Sequence, residues 1–155
     1  IIVTGAQRSG TKIASRIIAH EAKYRWVPEE EIACRSMTKL FGFILSPENV
    51  VIQCPALSQI CHLIDAPSTL IVFMKRELKD IVSSQNRIKW TEKEQTIELA
   101  NYFLEDGQIS EVKYSTWEKY QKPNIKTYLE LKYEDLSGHH MWVENRINFA
   151  DNQTA

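Results

Sequence analysis

The chain opens with IIVTGAQRSGTKIASRIIAHE (residues 1–21), and this stretch decides the fold. Its apolar, β-branched start runs into a glycine, which is typical of a buried parallel strand. From Thr11 onwards the apolar residues recur at helical spacing, which predicts a helix that ends at about Lys23. Between the two lies GAQRSGTK (residues 5–12), which has the G-x-x-x-x-G frame of a phosphate-binding loop. The stretch therefore predicts a strand–loop–helix unit with an anion-binding turn.

The same alternation of strand and helix continues along the chain. Strand patterns occur at YRWV (24–27), NVVIQC (49–54), STLIVFMK (68–75) and IKTYLELKY (125–133). Helical patterns occur at EEEIACRSMTKLFGF (29–43), ALSQICHLI (56–64), LKDIVSSQNRIKW (78–90), EKEQTIELANYFLE (92–105), ISEVKYSTWEKYQ (109–121) and HHMWVENRINFA (139–150). This order predicts an α/β fold, a three-layer sandwich with a mostly parallel sheet of about five strands. Together with the phosphate-binding loop after the first strand, it resembles the P-loop nucleotide kinases. We expect one domain over residues 1–155.

Charge and cysteine content narrow the class of protein. The formal net charge of −1 argues against a nucleic-acid partner, although it leaves room for a local basic pocket. The longest apolar runs have the length of a buried strand, so we expect no membrane-spanning segment. Cys34, Cys54 and Cys61 show no C-x-x-C spacing, which favours reduced, buried thiols over a disulfide scaffold or a metal site. With no visible signal peptide, these features predict a cytoplasmic protein.

The chemistry of the loop suits an anion with several oxygens. A strand that runs through a glycine turn into a helix points backbone N–H groups at one place, and the helix dipole adds positive potential there. Glycines let the backbone approach closely, hydroxyls donate hydrogen bonds, and a guanidinium can make paired bonds to an oxyanion. The residues assigned to the anion on these grounds are Gly5, Arg8, Ser9, Gly10, Thr11 and Lys12.

The order of two residues separates this loop from that of a metal-dependent nucleotide hydrolase. A Walker A loop reads G-K-[ST], in which the lysine precedes the hydroxyl that holds Mg²⁺. This chain reads Gly10-Thr11-Lys12, and one step along a helix turns a side chain by about 100°, so Lys12 cannot occupy the Walker position. The strongest strand ends in Lys75-Arg76, where a magnesium site would need a carboxylate. We therefore expect the loop to bind its anion without a metal.

A second basic element follows that strand. Arg76, Asp80, Ser84 and Arg87 are spaced by four, four and three residues and so share one face of the predicted helix. In an open α/β sheet, ligands gather at the carboxyl ends of the strands, where the first loop also lies. Arg76 and Ser84 are therefore candidates to bind a second phosphate, and Asp80 is expected to orient Arg76.

The two elements together resemble the sulfotransferase family, whose donor is 3′-phosphoadenosine 5′-phosphosulfate (PAPS). The loop RSGTK departs from the family's R/K-S-G-T-T only at Lys12, and KRELKDIVSS (75–84) keeps the family's arginine, aspartate and serine at the same spacing. LKYEDLSG (131–138) looks like the family's R-Y-E-D-L segment, and RINFA (146–150) resembles the helix ending that follows it. The resemblance extends to about Ala150 and admits the tyrosylprotein- or carbohydrate-type branch.

The resemblance implies an enzyme that moves a sulfuryl group from PAPS to a hydroxyl or amine without a metal and releases 3′,5′-ADP. In the family the first loop holds the 5′-phosphosulfate, and the Arg/Ser pair, here Arg76 and Ser84, holds the 3′-phosphate. The resemblance implies a catalytic role for Arg8, to which Lys12 adds a charge. The acceptor would be a carbohydrate, a protein tyrosine or a small molecule.

The base that takes the acceptor's proton stays open among three residues. In the tyrosylprotein-type branch a glutamate follows the loop arginine by about twenty residues, and Glu29 stands 21 residues after Arg8. Glu30 lies beside it. His62 is the rival, since other branches use a histidine, although a histidine in an apolar helix is more often structural. We take Glu29 as the first choice for the catalytic base.

One departure from the family keeps other functions open. The family commonly carries a lysine before the second proline, where this chain has Gln53-Cys54-Pro55. Gln53 makes a non-catalytic nucleotide-binding module one alternative. A nucleotide-kinase-like P-loop enzyme is the other, and the order Thr11-Lys12 disfavours it. Four tryptophans are expected in the core, namely Trp26, Trp90, Trp117 and Trp142. Three histidines belong to no motif, namely His20, His139 and His140.

Overall fold

A computed structural model of the chain describes residues 1–32, 36–89 and 108–142. Its strands are β1 (Ile2–Gly5), β2 (Arg25–Val27), β3 (Val50–Gln53), β4 (Ile71–Lys75) and β5 (Tyr128–Lys132). The α-helices within the described ranges are α1 (Thr11–Ala22), α2 (Met37–Leu45), α3 (Leu78–Arg87) and α4 (Gln108–Thr116). The predicted helix at 92–105, and the part of the one at 139–150 that follows Trp142, lie outside the described residues.

The five strands form one parallel sheet in the order β2-β3-β1-β4-β5. Ile2 of the central strand pairs with Ile52 on one side and with Ile71 on the other. Every residue of β1 and β3 is buried, as expected of strands that are covered on both faces. The predicted α/β fold with a parallel sheet is therefore confirmed, and the carboxyl ends of all five strands lie at one edge.

Alternate strand residues pack into two cores, because successive side chains of a strand point to opposite faces. One face packs against α2, and its strand residues are Ile2, Val27, Val50, Ile52, Ile71 and Phe73. The other face packs against α1, and its strand residues are Val3, Val51, Val72 and Met74. Trp117 is buried in the first core and Trp142 in the second, while Trp26 is half-buried and Trp90 lies outside the described residues. Helices on both faces of the sheet give the three layers that the sequence predicts.

Two predicted helices differ in the structure. The segment at 29–43 is a 3₁₀ turn, Glu29–Ile32, followed by α2, because Ser36 caps a new helix with its hydroxyl, which accepts from the Lys39 N–H at 3.3 Å. The segment at 56–64 forms the 3₁₀ turns Pro55–Gln59 and Cys61–Leu63. Between them Ile60 has φ −127°, which is outside the helical range and prevents a continuous α-helix.

A charged network ties β5 to the rest of the sheet. The Glu130 carboxylate accepts hydrogen bonds from Trp117 Nε1 at 2.7 Å and from Lys122 Nζ at 3.2 Å, and it lies 2.8 Å from Lys75 Nζ. Partial burial alone would raise the pKa of Glu130, but these three donors outweigh it and lower the pKa from 4.5 to about 2. The ionised carboxylate therefore stabilises the edge strand at neutral pH.

No α-helix in the described ranges combines the length and the apolar character that a membrane span requires.

Candidate functional site

The predicted loop joins β1 to α1 at the centre of the carboxyl edge. Three of its residues have positive φ, Gly5 at 144°, Arg8 at 68° and Gly10 at 96°. A Cβ atom at Gly5 would lie 2.8 Å from the carbonyl oxygen of Met74, and one at Gly10 would overlap the ring of Tyr133. The two glycines are thus required both by the backbone angle and by the space.

Two loop hydroxyls make contacts inside the protein. Ser9 is buried, and both its N–H and its Oγ donate to the carbonyl oxygen of Ala6, at 3.1 and 2.7 Å. Thr11 is also buried, and its Oγ1 lies 3.5 Å from Nε2 of Gln53 at the end of β3. In this conformation Ser9 shapes the turn, and Gln53 helps to place the hydroxyl of Thr11.

The amino end of α1 presents backbone donors to the loop. Gly10 is the cap residue, so no side chain of its own occupies the first-turn N–H groups. These N–H groups have no acceptor within the helix, and the helix dipole makes them a site for an anion. Lys12 lies in this first turn with an exposed side chain, and it makes no ion pair with the described residues. The charge of Lys12 therefore faces solvent beside these donors.

Arg8 and Arg76 contact each other next to the loop, and the charge of Arg87 acts on Arg8. Arg8 Nε donates to Ser84 Oγ at 3.2 Å, and Arg76 Nη1 donates to the carbonyl oxygen of Arg8 at 3.0 Å. Burial first, and then the charges of Arg87 and Arg76, lower the pKa of Arg8. Among the described residues, none of the three forms an ion pair with a carboxylate. The region therefore has an excess of positive charge.

Arg76 is held by aromatic residues. The Arg76 guanidinium lies 4.2 Å from the ring centroid of Tyr133. The backbone N–H of Arg76 donates to the Tyr114 hydroxyl at 3.0 Å, and that hydroxyl donates to the backbone carbonyl of Arg76 at 3.1 Å. Burial raises the pKa of Tyr114 to about 12, so this hydroxyl keeps its proton. No ion pair joins Asp80 to Arg76 in the described part of the chain, so the role expected of Asp80 falls to these two tyrosines.

One donor of Arg76 has no acceptor. Its Nε is buried and makes no hydrogen bond with the described residues. A buried donor without a partner is unfavourable by about 1–3 kcal/mol, which an anion with a free oxygen would relieve. Arg76 and Ser84, which sequence spacing assigned to one anion, are both within one hydrogen bond of Arg8.

The three candidate bases have different surroundings. Glu29 is exposed in the turn after β2, and its charge contributes to the raised pKa of the Cys54 thiol, which is due first to burial. Glu30 is exposed in the same turn. His62 is bound elsewhere, since Gln121 Oε1 lies 2.8 Å from its Nδ1 and 2.9 Å from its backbone nitrogen. Glu29 is therefore near enough to the carboxyl end of β3 for its charge to act on the Cys54 thiol.

Three residues that sequence reasoning did not single out complete the site. Tyr114 and Tyr133 hold Arg76, as described above, although Tyr133 belongs to the segment that resembles the R-Y-E-D-L motif. Lys113 is buried on α4 and donates to Gln7 Oε1 at 2.6 Å. The aromatic and basic pattern of residues 109–121 gave no signal for either α4 residue, because it is also that of an ordinary amphipathic helix.

The histidines that carry no motif lie at the end of α1 that is far from the loop. His20, His139 and His140 cluster with Glu21 at the carboxyl end of α1, where His139 Nε2 is 3.0 Å from Glu21 Oε1. Cys54 and Cys61 are free and buried, as predicted, and Cys34 lies outside the described residues. No group of three or more potential ligands is arranged to hold a metal ion within residues 1–32, 36–89 and 108–142.

No protein-family model and no curated protein sequence matches this chain.

Proposed function

We propose that the protein is a sulfotransferase that moves a sulfuryl group from PAPS to a hydroxyl or amine acceptor and releases 3′,5′-ADP. The observation that supports this most is the contact of Arg8 with both Ser84 and Arg76. These contacts join two cationic elements that are far apart in the sequence at the edge of the sheet where ligands of α/β proteins bind. Two neighbouring anion positions suit a donor with two separate phosphate-bearing groups.

The residues present fit such a donor. The N–H groups at the start of α1, with Arg8 and Lys12, would hold the 5′-phosphosulfate. Arg76 and Ser84 would hold the 3′-phosphate, and the buried Nε of Arg76 is a donor in need of an acceptor. The ring of Tyr133 supports the Arg76 guanidinium, which lies 4.2 Å from its centroid. The chain would thus bind the donor through backbone amides and guanidinium groups.

In the proposed reaction the protein positions the donor and the acceptor and stabilises charge, and it does not itself bond to the transferred group. The acceptor oxygen or nitrogen forms a bond to sulfur as the bond between sulfur and the bridging phosphate oxygen breaks, and the acceptor's proton passes to the Glu29 carboxylate. The negative charge that collects on the leaving 3′,5′-ADP is stabilised by Arg8 and Lys12. Metal independence is part of the proposal, as is a cytoplasmic location, which the free thiols of Cys54 and Cys61 suit.

Calorimetric titration tests donor binding directly. The protein is titrated with 3′,5′-ADP in the presence of a chelator and, separately, with ATP and Mg²⁺. We expect 3′,5′-ADP to bind without metal and more tightly than the magnesium nucleotide. Binding of magnesium ATP alone would sink the sulfotransferase proposal and favour the kinase-like alternative. Two features argue against that alternative. Lys12 follows Thr11, where a Walker A loop has the lysine first, and β4 ends in Lys75, where a magnesium site would need a carboxylate.

A non-catalytic nucleotide-binding module is the second candidate. Gln53 is buried and neutral at the end of β3, where the family commonly carries a lysine, so transfer could be lost while donor binding is kept. Transfer of ³⁵S from labelled PAPS to carbohydrate, tyrosyl-peptide and small phenolic acceptors separates the two. Labelled product supports the enzyme, whereas tight binding of 3′,5′-ADP without transfer to any acceptor supports the module.

A further inference from the structure

Lys113 stands apart from every other charged residue in the described part of the chain. It is the only formally charged side chain there that is buried, with 5% of its surface exposed. Burial of an ammonium group is unfavourable unless hydrogen bonds and charges compensate for the lost water. A buried lysine at a ligand site is therefore a candidate for a role in that site.

The side chain of Lys113 connects α4 to the loop. Its Nζ donates to Oε1 of Gln7 at 2.6 Å and to the carbonyl oxygen of Pro55 at 3.4 Å. Gln7 precedes Arg8 in the loop, and Pro55 follows the end of β3 by two residues. The ammonium group is thus held on the side of the loop that faces β3.

The charge of Lys113 and the charge of the candidate base act on the same thiol. The pKa of the Cys54 thiol is raised by burial first and then by the charge of Glu29, and the charge of Lys113 lowers it. Both charges therefore act on Cys54, at the end of the strand whose last residue is the neutral Gln53. A cation and a carboxylate that both act on this strand end, with the cation also bound to Gln7 of the loop, form the surroundings in which a transferred anionic group would lie.

We propose that Lys113 is a positioning residue that fixes the Gln7 side chain of the loop and supplies, from a distant helix, the positive charge on the β3 side of the transferred group. This inference rests on the proposed sulfotransferase function. In this arrangement Arg76 and Ser84 bind the 3′-phosphate, and Lys113 acts on the opposite end of the donor. Its effect is therefore specific to the sulfuryl group.

The test compares two ligands that differ only by that group. Dissociation constants for PAPS and for 3′,5′-ADP are measured by calorimetry, without metal and without acceptor, for the wild type, Lys113→Met and Lys113→Arg. We expect Lys113→Met to weaken PAPS about tenfold more than 3′,5′-ADP, and Lys113→Arg to keep the wild-type ratio to within about threefold. Lys119→Met, which removes an exposed lysine that follows α4, is the matched control and should leave the ratio unchanged.

A second variant decides the matter if Lys113→Met does not fold. Gln7→Glu keeps the size of the side chain and places a carboxylate against the ammonium group, so it neutralises Lys113 without removing it. It should shift the ratio in the same direction. An unchanged ratio in every folded variant, in a protein that binds both ligands, overturns the inference about Lys113 alone. If the wild type binds neither ligand, the proposed function fails and the inference fails with it.

Discussion

Replacement of Arg76 by alanine gives the sharpest test of the proposed second anion position. The guanidinium donates to the Arg8 carbonyl at 3.0 Å, lies 4.2 Å from the centroid of Tyr133 and keeps a buried Nε with no acceptor among the described residues. A hydrogen bond to a charged group contributes about 1.5–3 kcal/mol. At about 1.4 kcal/mol for each factor of ten, Arg76→Ala should weaken 3′,5′-ADP by about 10- to 150-fold.

The comparison with 5′-AMP makes this prediction specific. 5′-AMP lacks the 3′-phosphate, so the same substitution should weaken it by no more than about threefold, or about 0.7 kcal/mol. Both ligands are titrated calorimetrically, without metal, into the wild type and the variant. Equal losses for the two ligands would refute the assignment of Arg76 to the 3′-phosphate.

Two further variants separate binding from folding. Arg76→Ala also removes a stacking contact and a hydrogen bond, so the free energy of unfolding should fall by about 1–2 kcal/mol, and the titrations need a temperature well below the measured melting point. Lys79→Ala, at an exposed position of α3, should change neither affinity. Arg76→Lys keeps the charge without the planar fork and should give an intermediate loss.

Three other substitutions test the base, the loop and the acid stability. Glu29→Gln should slow transfer by about 10²- to 10⁴-fold in the ³⁵S assay with unchanged 3′,5′-ADP affinity, whereas Glu30→Gln should transfer normally; equal effects would remove Glu29 as the base. Gly10→Ala should destabilise the protein by at least about 1–3 kcal/mol in urea unfolding, because of its φ of 96° and its closeness to Tyr133, while Gly42→Ala in α2 should not destabilise it. Glu130→Gln should lower stability at pH 7 by about 1–2 kcal/mol. Because the pKa of Glu130 is lowered from 4.5 to about 2, its contribution is complete above pH 4.5 and is lost as the pH falls towards 2, so melting curves of the two proteins should converge there.

The sheet could be predicted because its strands carry the signal in their own residues. β1 and β4 are short apolar runs that end at the loop and at Arg76, and each is buried on both faces. The prediction of one continuous helix at 29–43 was wrong. The apolar periodicity continues past Ser36, although a new helix begins at that cap. Local spacing reports which face is apolar but not where hydrogen bonding is interrupted.

The candidate site was less accessible to sequence reasoning than the fold. The glycines and the spacing of Arg76 and Ser84 carry a local signal, and the structure brings both residues to Arg8. The partners that hold them come from elsewhere, as Tyr114 is 38 residues from Arg76, and Lys113 is 106 residues from Gln7. Contacts over such distances are set by the packing of helices on the sheet and leave no periodic trace.

The central place of β1 in the sheet also bears on the order in which the protein folds. β1 pairs with β3 and β4, and Tyr133 limits the space at Gly10. The conformation of the loop therefore depends on residues that come much later in the chain. Parallel pairings of this kind form only after the intervening chain has closed upon itself. During translation the loop is therefore made before β3 and β4, and it reaches its folded conformation only after both of these strands have been synthesised.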